Sequence, residues 1–134
     1  MDFLGARMRF WKFFDYITEG HSNPIQDWYG TVDHDVQAAF DVLVQELAGT
    51  EVWNTPNQYR LLTGKHLGMC ELVFKVGRRK FRALGMMEGG KREFVLLGGC
   101  EHTRWYSIPS DAFDAAYKLK TQLDEERGAT REHV

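Results

Sequence analysis

The middle of the chain concentrates positive charge on segments that have the pattern of β-strands. Residues 60–104 hold ten Lys and Arg residues against four Asp and Glu residues, whereas both flanks carry more acidic than basic side chains. The formal net charge of −2 therefore conceals a molecule with a basic centre. Such a basic sheet is typical of a surface that holds phosphate. Lys80 and Arg82 project from one side of a strand, opposite to Phe81, so that side is the natural place for a site.

Length and composition indicate one folded domain over residues 1–134. A chain of this length can bury about two-thirds of its unfolded surface, and 43% of its residues are hydrophobic. We expect residues 1–7 and 124–134 to be peripheral or flexible, since the tail after Leu123 is too polar to pack. No apolar run approaches the ~20 residues that cross a bilayer, and Met1–Phe14 is interrupted by charged residues, unlike a signal peptide. The sequence predicts a cytoplasmic protein with no membrane association.

Neither the cysteines nor the histidines have the spacing of a metal site. Cys70 and Cys100 lie thirty positions apart, and each lacks the second nearby cysteine of a zinc motif. His21, His34 and His133 show no ligand spacing either. We therefore predict no metal and no cofactor, and two reduced thiols in or beside strands.

The first half of the chain predicts one strand and two helices. The aromatic segment 8–16 alternates like an opening strand. A short helix begins at Asn23-Pro24, where the asparagine caps and the proline takes the first helical position, and ends near Gly30. A second helix covers residues 33–48, because apolar residues recur there at spacings of three and four.

The second half predicts three strands and a final helix. From Glu71 the apolar period changes to two, Gly77 turns the chain, and Gly89-Gly90 indicates a tight hairpin between antiparallel neighbours. A helix beginning at residues 109–111 follows. The predicted fold is α+β: a small antiparallel sheet of about four strands, two N-terminal helices and a C-terminal helix, with the helices stacked on one face.

Five segments together resemble one group of proteins in their order and spacing. They are Asn23–Tyr29, Gly68–Lys75, Lys80–Gly85, Phe94–Cys100 and Ile108–Ala112. From about residue 10 to residue 123 the chain resembles the RelE/ParE-like toxins, and it is most similar to their HigB-type, phage-derived branch. The resemblance implies a RelE-like microbial RNase fold. It also implies, as in many members, cleavage of messenger RNA in the decoding site of the ribosome.

The same resemblance implies a partner and leaves two functions open. HigB-type proteins usually pair with a helix-turn-helix antitoxin, so the chain is expected to be the toxin of a type II toxin-antitoxin system and an mRNA endoribonuclease (mRNA interferase). The alternative is a non-catalytic, protein-binding member of the same fold, either a ParE-like gyrase poison or an inactive phage-derived homologue. The acidic flanks predict that a basic segment of the antitoxin docks on them.

Metal-free RNA cleavage needs a base for the ribose 2′-hydroxyl, an acid for the 5′-oxygen and cations for the charge on phosphorus. Arg82 matches the strand arginine of the family's Tyr/Phe-Arg motif, which implies that it stabilises the phosphorane. His102 suits acid or base work near neutrality, with a surface histidine of no catalytic duty as the alternative. Arg104 replaces one of the lysines usual after this strand, and Tyr106 could stack on a base or donate to phosphate. Val73 departs from the family, which has arginine there.

Five further basic residues are candidates for RNA binding. Lys65 and His66 lie in a loop from which HigB-type proteins contribute basic or imidazole groups, although a flexible, solvated loop is the stronger interpretation. Arg78, Arg79 and Lys80 could attract RNA at long range, or they could form only a solvated turn.

Overall fold

The computed structural model describes residues 9–88 and 90–133, so the predicted peripheral segment 1–7 lies outside the described residues. Within the described residues, three helices and seven strands follow one another. They are β1 (Lys12–Ile17), α1 (Pro24–Tyr29), α2 (His34–Ala48), β2 (Tyr59–Leu61), β3 (Cys70–Val76), β4 (Arg79–Glu88), β5 (Glu93–His102), β6 (Ser107–Ile108), α3 (Ala112–Asp124) and β7 (Ala129–Glu132), with a 3-10 turn at Gly64–His66. Within these ranges no helix combines the length and the apolar character that a membrane crossing requires.

All seven strands belong to one sheet, which corrects the prediction of a small sheet of about four strands. The strand order is β2-β3-β4-β5-β1-β7, and β6 pairs with β5. The prediction of a wholly antiparallel sheet was also wrong, because β1 runs parallel to β5. The class α+β is consistent with the structure. Strands β2 and β6 were not predicted, because strands of three and two residues are too short to show a period of two in the sequence.

The predicted helices have the local signals expected of them. The Asn23 side chain accepts a hydrogen bond from the backbone N–H of Gln26, and Pro24 opens α1. The Asp33 side chain accepts one from the backbone N–H of Val36 at the start of α2. The predicted strands β3, β4 and β5 are antiparallel neighbours, and the glycine of the two-residue turn between β3 and β4 has a φ of 60°.

The helices lie on both faces of the sheet, not stacked on one face as predicted. Residues of α1 and α2 share a core with alternate strand residues such as Phe74, Phe81 and Phe94. Residues of α3 share a second core with residues of the opposite parity, including Leu84 and Val95. On this second face β4 changes from Lys80 and Arg82 at its beginning to Leu84 and Met86, which belong to the core that includes α3.

The C-terminal segment pairs with the sheet although its sequence is polar. All four residues of β7 are exposed, but β7 forms an antiparallel ladder with β1. Beyond it, Nδ1 of the buried His133 donates to Asp15 Oδ1 at 2.6 Å. Burial opposes the ionisation of Asp15, but hydrogen bonds from His133, Asn23 and Gln26 outweigh it and lower the pKa of the carboxyl. Of the predicted peripheral segment 124–134, the described residues 124–133 are peripheral in position but anchored by the His133–Asp15 pair.

Two adjacent glycines of β5 allow a test of how closely α1 packs on the sheet. A Cβ on Gly99 would lie 2.3 Å from the Trp28 ring, whereas a Cβ on Gly98 would meet no heavy atom within 4 Å. We expect Gly99→Ala to lower the free energy of unfolding by about 1–3 kcal/mol through overpacking. Gly98→Ala is the matched control and should change it by less than about 1 kcal/mol. Urea denaturation measures both, and equal effects would contradict the packing of α1 described above.

Candidate nucleic-acid interface

A basic groove lies where β4 begins and β5 ends. Its volume is about 490 Å³. We call it the basic groove and define it by its lining residues, five cations, one carboxylate, one imidazole and one hydroxyl: Arg78, Arg79, Lys80, Arg82, Glu101, His102, Thr103 and Arg104. Arg82 and Arg104 come from separate segments of the chain, and the fold brings both to this groove with His102.

The strand register places basic groups directly opposite one another at the groove. Lys80 on β4 pairs with Lys75 on β3 at one side and with His102 on β5 at the other. Arg82 lies two positions after Lys80 and so projects from the same face. Like charges opposite one another on a sheet destabilise it, and a bound anion relieves that repulsion. The two lysines Lys75 and Lys80 therefore repel each other across the ladder, and of the two it is Lys80 that lines the groove, where a bound phosphate would relieve the repulsion.

Arg82 is held in place by a carboxylate. Its Nη1 donates a short hydrogen bond to Glu71 Oε1 on β3, and the two side chains are only 11% and 5% exposed. Arg60 on β2 lies on the other side of this carboxylate, with Nη1 3.6 Å from Glu71 Oε1. The Nε of Arg82 is buried and has no hydrogen-bond partner among the described residues. Glu71 thus orients the guanidinium and leaves at least one of its donors unused.

The surroundings of His102 lower the pKa of its imidazole and so favour the neutral form. Burial lowers the pKa of its imidazole, and the positive charges of Arg82 and Lys80 lower it further, while the negative charge of Glu71 acts in the opposite direction. Its Nδ1 is buried without a hydrogen-bond partner among the residues that the structure describes. A neutral imidazole beside fixed cations can accept a proton, which is the task of a general base.

Arg104 and Tyr106 belong to a tight turn between β5 and β6. The hydroxyl of Thr103 accepts hydrogen bonds from the backbone N–H groups of Trp105 and Tyr106 and donates to the Tyr106 carbonyl. Tyr106 is 58% exposed but is not among the residues that line the basic groove. The Arg104 guanidinium lies 4.8 Å from the ring centroid of Trp105, an exposed residue that the sequence analysis did not select. The feature of the sequence that could have identified Trp105 is its position next to Arg104 in a polar segment.

The other predicted RNA-binding residues divide into two groups. Arg78, Arg79 and Lys80 line the basic groove, although Arg79 is bound to Glu101 through two hydrogen bonds of 2.9 and 3.0 Å. That arginine lowers the pKa of the Glu101 carboxyl. Lys65 and His66 instead lie beside α3, outside the groove, in contacts with Asp114 of 3.3 and 2.7 Å.

The two cysteines are free and buried. Burial raises the pKa of the Cys100 thiol to about 11, so a nucleophilic thiolate is disfavoured at neutral pH. In residues 9–88 and 90–133, no three His, Cys, Asp or Glu side chains are grouped so that they could hold a metal ion.

Comparisons with protein-family models, with curated proteins and with solved structures found no match to this chain. The function is therefore inferred from the geometry of the basic groove and from the chemistry of its residues.

Proposed function

We propose that the protein is an endoribonuclease that binds the ribose-phosphate backbone of RNA in the basic groove. The convergence of Arg82, His102 and Arg104 on one cationic groove is the observation that supports this function. In the reaction, His102 removes the proton of the 2′-hydroxyl, the 2′-oxygen bonds to the adjacent phosphorus, and the 5′-oxygen leaves with a proton from solvent. Arg82 stabilises the extra negative charge on phosphorus, while Lys80 and Arg104 hold the phosphates. Tyr106 has no part in this scheme, because it lies outside the groove.

The proposal extends to the setting in which such an enzyme acts. We propose that the chain is the toxin of a type II toxin-antitoxin pair, cuts messenger RNA on ribosomes in the cytoplasm, and is neutralised by a helix-turn-helix antitoxin. The support is the order and spacing of the segments that resemble HigB-type toxins, together with a groove of the charge that RNA requires.

A second candidate function, binding to a partner protein without catalysis, is favoured by two observations. Glu71 already neutralises Arg82, the main candidate for stabilising the transition state. In addition, an apolar groove of about 700 Å³ lies between α1 and α3, lined among others by Trp28, Phe81, Gly98, Ile108, Ala112 and Leu119. Four carboxylates and one arginine also line it, so it suits an apolar segment that carries basic residues, as in an antitoxin.

RNA cleavage by 2′-hydroxyl attack has a product signature that tests the first candidate. We expect the purified protein, with translating ribosomes, to cut messages and leave 2′,3′-cyclic phosphate and 5′-hydroxyl ends. A message with a single 2′-deoxyribose at the cut site should stay intact there, because it lacks the nucleophile. Lys118→Ala, which removes an exposed cation on α3 away from the groove, is the control variant and should cut normally.

The outcome also separates the two candidate functions. If the messages remain intact with this protein but are cut by a control endoribonuclease in a parallel reaction, the nuclease proposal is contradicted. If such a protein still inhibited growth, and if Ile108→Asp, at an exposed residue of the apolar groove, abolished that inhibition without unfolding the chain, the second candidate would be supported.

A further inference from the structure

The turn between β5 and β6 exposes aromatic surface beside the basic groove. Trp105 is 79% exposed and Tyr106 is 58% exposed, whereas Trp11 and Trp28 are each 8% exposed. A tryptophan with most of its surface in water loses the benefit of burial, so a ligand that covers it would be favoured.

The turn fixes the backbone at Trp105. Besides the three hydrogen bonds of the Thr103 hydroxyl, the backbone N–H of Thr103 donates to the Tyr106 carbonyl at 2.8 Å, which closes the turn. The two residues of β6 then pair with the end of β5. An aromatic residue on a fixed backbone loses less conformational entropy when a ligand stacks on it than one on a mobile loop.

The surroundings of Trp105 indicate which ligand it suits. The two residues before it, Thr103 and Arg104, line the basic groove, and the Arg104 guanidinium lies over the indole ring. A strand whose phosphates occupy the groove therefore passes next to the indole. Bases of single-stranded nucleic acid stack on aromatic rings and arginine planes in this way, whereas the bases of a duplex are already stacked on each other.

We propose that Trp105, with Arg104 beside it, is a stacking platform for an unpaired base, so that the substrate class is single-stranded RNA. This inference deepens the proposed function and rests on the basic groove as the phosphate site. The platform sets which strands bind, and the groove performs the reaction.

The experiment measures the binding of uncleavable 2′-O-methyl oligonucleotides to the full chain by fluorescence anisotropy. Against an intact single strand, Trp105→Ala should weaken binding by about tenfold, which is within the range for one base stacked on an aromatic ring. Trp105→Phe should restore most of the affinity, because it keeps an aromatic face. Leu61→Ala, at an exposed apolar residue on β2, is the matched control and should bind as the wild type.

The same variants are then measured on a strand with abasic sites and on a hairpin duplex of equal phosphate number. Removing the bases should abolish the difference between the wild type and Trp105→Ala, and the duplex should show none. An equal loss of affinity for intact and abasic strands would overturn the platform, since it would show that the substitution disturbs the groove. An unchanged affinity for every strand would also overturn it.

A failure of the Trp105 platform can be distinguished from a failure of the nuclease proposal. If Trp105→Ala weakens binding to the intact strand alone while the wild type cuts no RNA, the platform stands and the nuclease proposal fails. If RNA is cut normally and the variant binds every strand as the wild type does, the nuclease proposal stands and the platform fails.

Discussion

Arg82→Ala is expected to lower kcat/KM for RNA cleavage by about 10²–10³-fold, the usual cost of removing one preorganised donor from a charged transition state. The physical reason is the position of Arg82: it is mostly buried, oriented by Glu71, and adjacent to His102 on the neighbouring strand. A donor already held in place spends little free energy on reorganisation when charge develops on phosphorus. Single-turnover cleavage of a defined message measures this loss.

The same substitution is expected to destabilise the fold. A second variant is therefore needed to separate a loss of activity from a loss of folding. Without Arg82, the carboxylate of Glu71 stays buried with only the more distant Arg60, and breaking such a pair costs about 3–5 kcal/mol. Arg82→Lys keeps a positive charge beside Glu71 but lacks the planar fork that donates two hydrogen bonds to a phosphate. It should fold, as judged by urea denaturation, and still lose most of the activity.

Arg60→Ala is the matched control for Arg82. This variant removes the other arginine that contacts the Glu71 carboxylate. Arg60 is half-exposed and lies outside the basic groove. We expect near-normal cleavage from this variant. A folded Arg82→Lys protein that cuts as fast as the wild type would refute the role given to Arg82, and so would equal losses of activity in Arg60→Ala and Arg82→Lys.

The part of the fold that the sequence predicted is the part with strong local signals. Helices α1 and α2 have capping side chains at their first turns, and the strands β3, β4 and β5 carry a clear period of two. The face on which α3 packs could not be predicted in this way. Leu84 and Met86 belong to the same face as Arg82, so one strand changes from apolar to basic along its length, and only the tertiary structure shows where α3 stops.

The candidate site was predictable for similar reasons, and only in part. Arg82, His102 and Arg104 were selected for their chemistry and their likeness to a family, and the fold brings them to one groove. Lys65 and His66 were selected because they are basic and lie in a loop, but nothing in the sequence identified Asp114, forty-eight positions after His66, as their partner. Long-range ion pairs of this kind are a property of the folded chain.

Helix α3 covers only part of the second face, and Arg82 lies at the border of the covered part. A fully covered face would bury the basic residues, and a bare one would leave His102 hydrated, with a pKa near the usual value of about 6.5. In this arrangement the helix covers Leu84 and leaves Arg82 at its border, where it is mostly removed from water yet lines an open groove. Electrostatic interactions are stronger in such a partly dehydrated place than on an open surface.

His102→Ala is expected to reduce kcat/KM by about 10²–10⁴-fold, because general bases typically contribute that much to a rate. Only the neutral imidazole can accept the proton of the 2′-hydroxyl. Since burial and the charges of Arg82 and Lys80 place the pKa of His102 below its usual value, kcat/KM should rise with pH through that lowered pKa and be level at neutrality. A pH-rate profile from pH 4.5 to 8 measures the acidic limb.

The variant Lys80→Met tests the role of His102 a second time, through the pH dependence of kcat/KM. Removing the ammonium group directly opposite His102 raises the pKa of the imidazole, so the acidic limb should move to higher pH even if the maximum rate falls. His34→Ala, at an exposed histidine that begins α2, is the control and should leave both the rate and the profile unchanged. An acidic limb that persists unaltered in His102→Ala would show that another group titrates, and His102 would then not be the base.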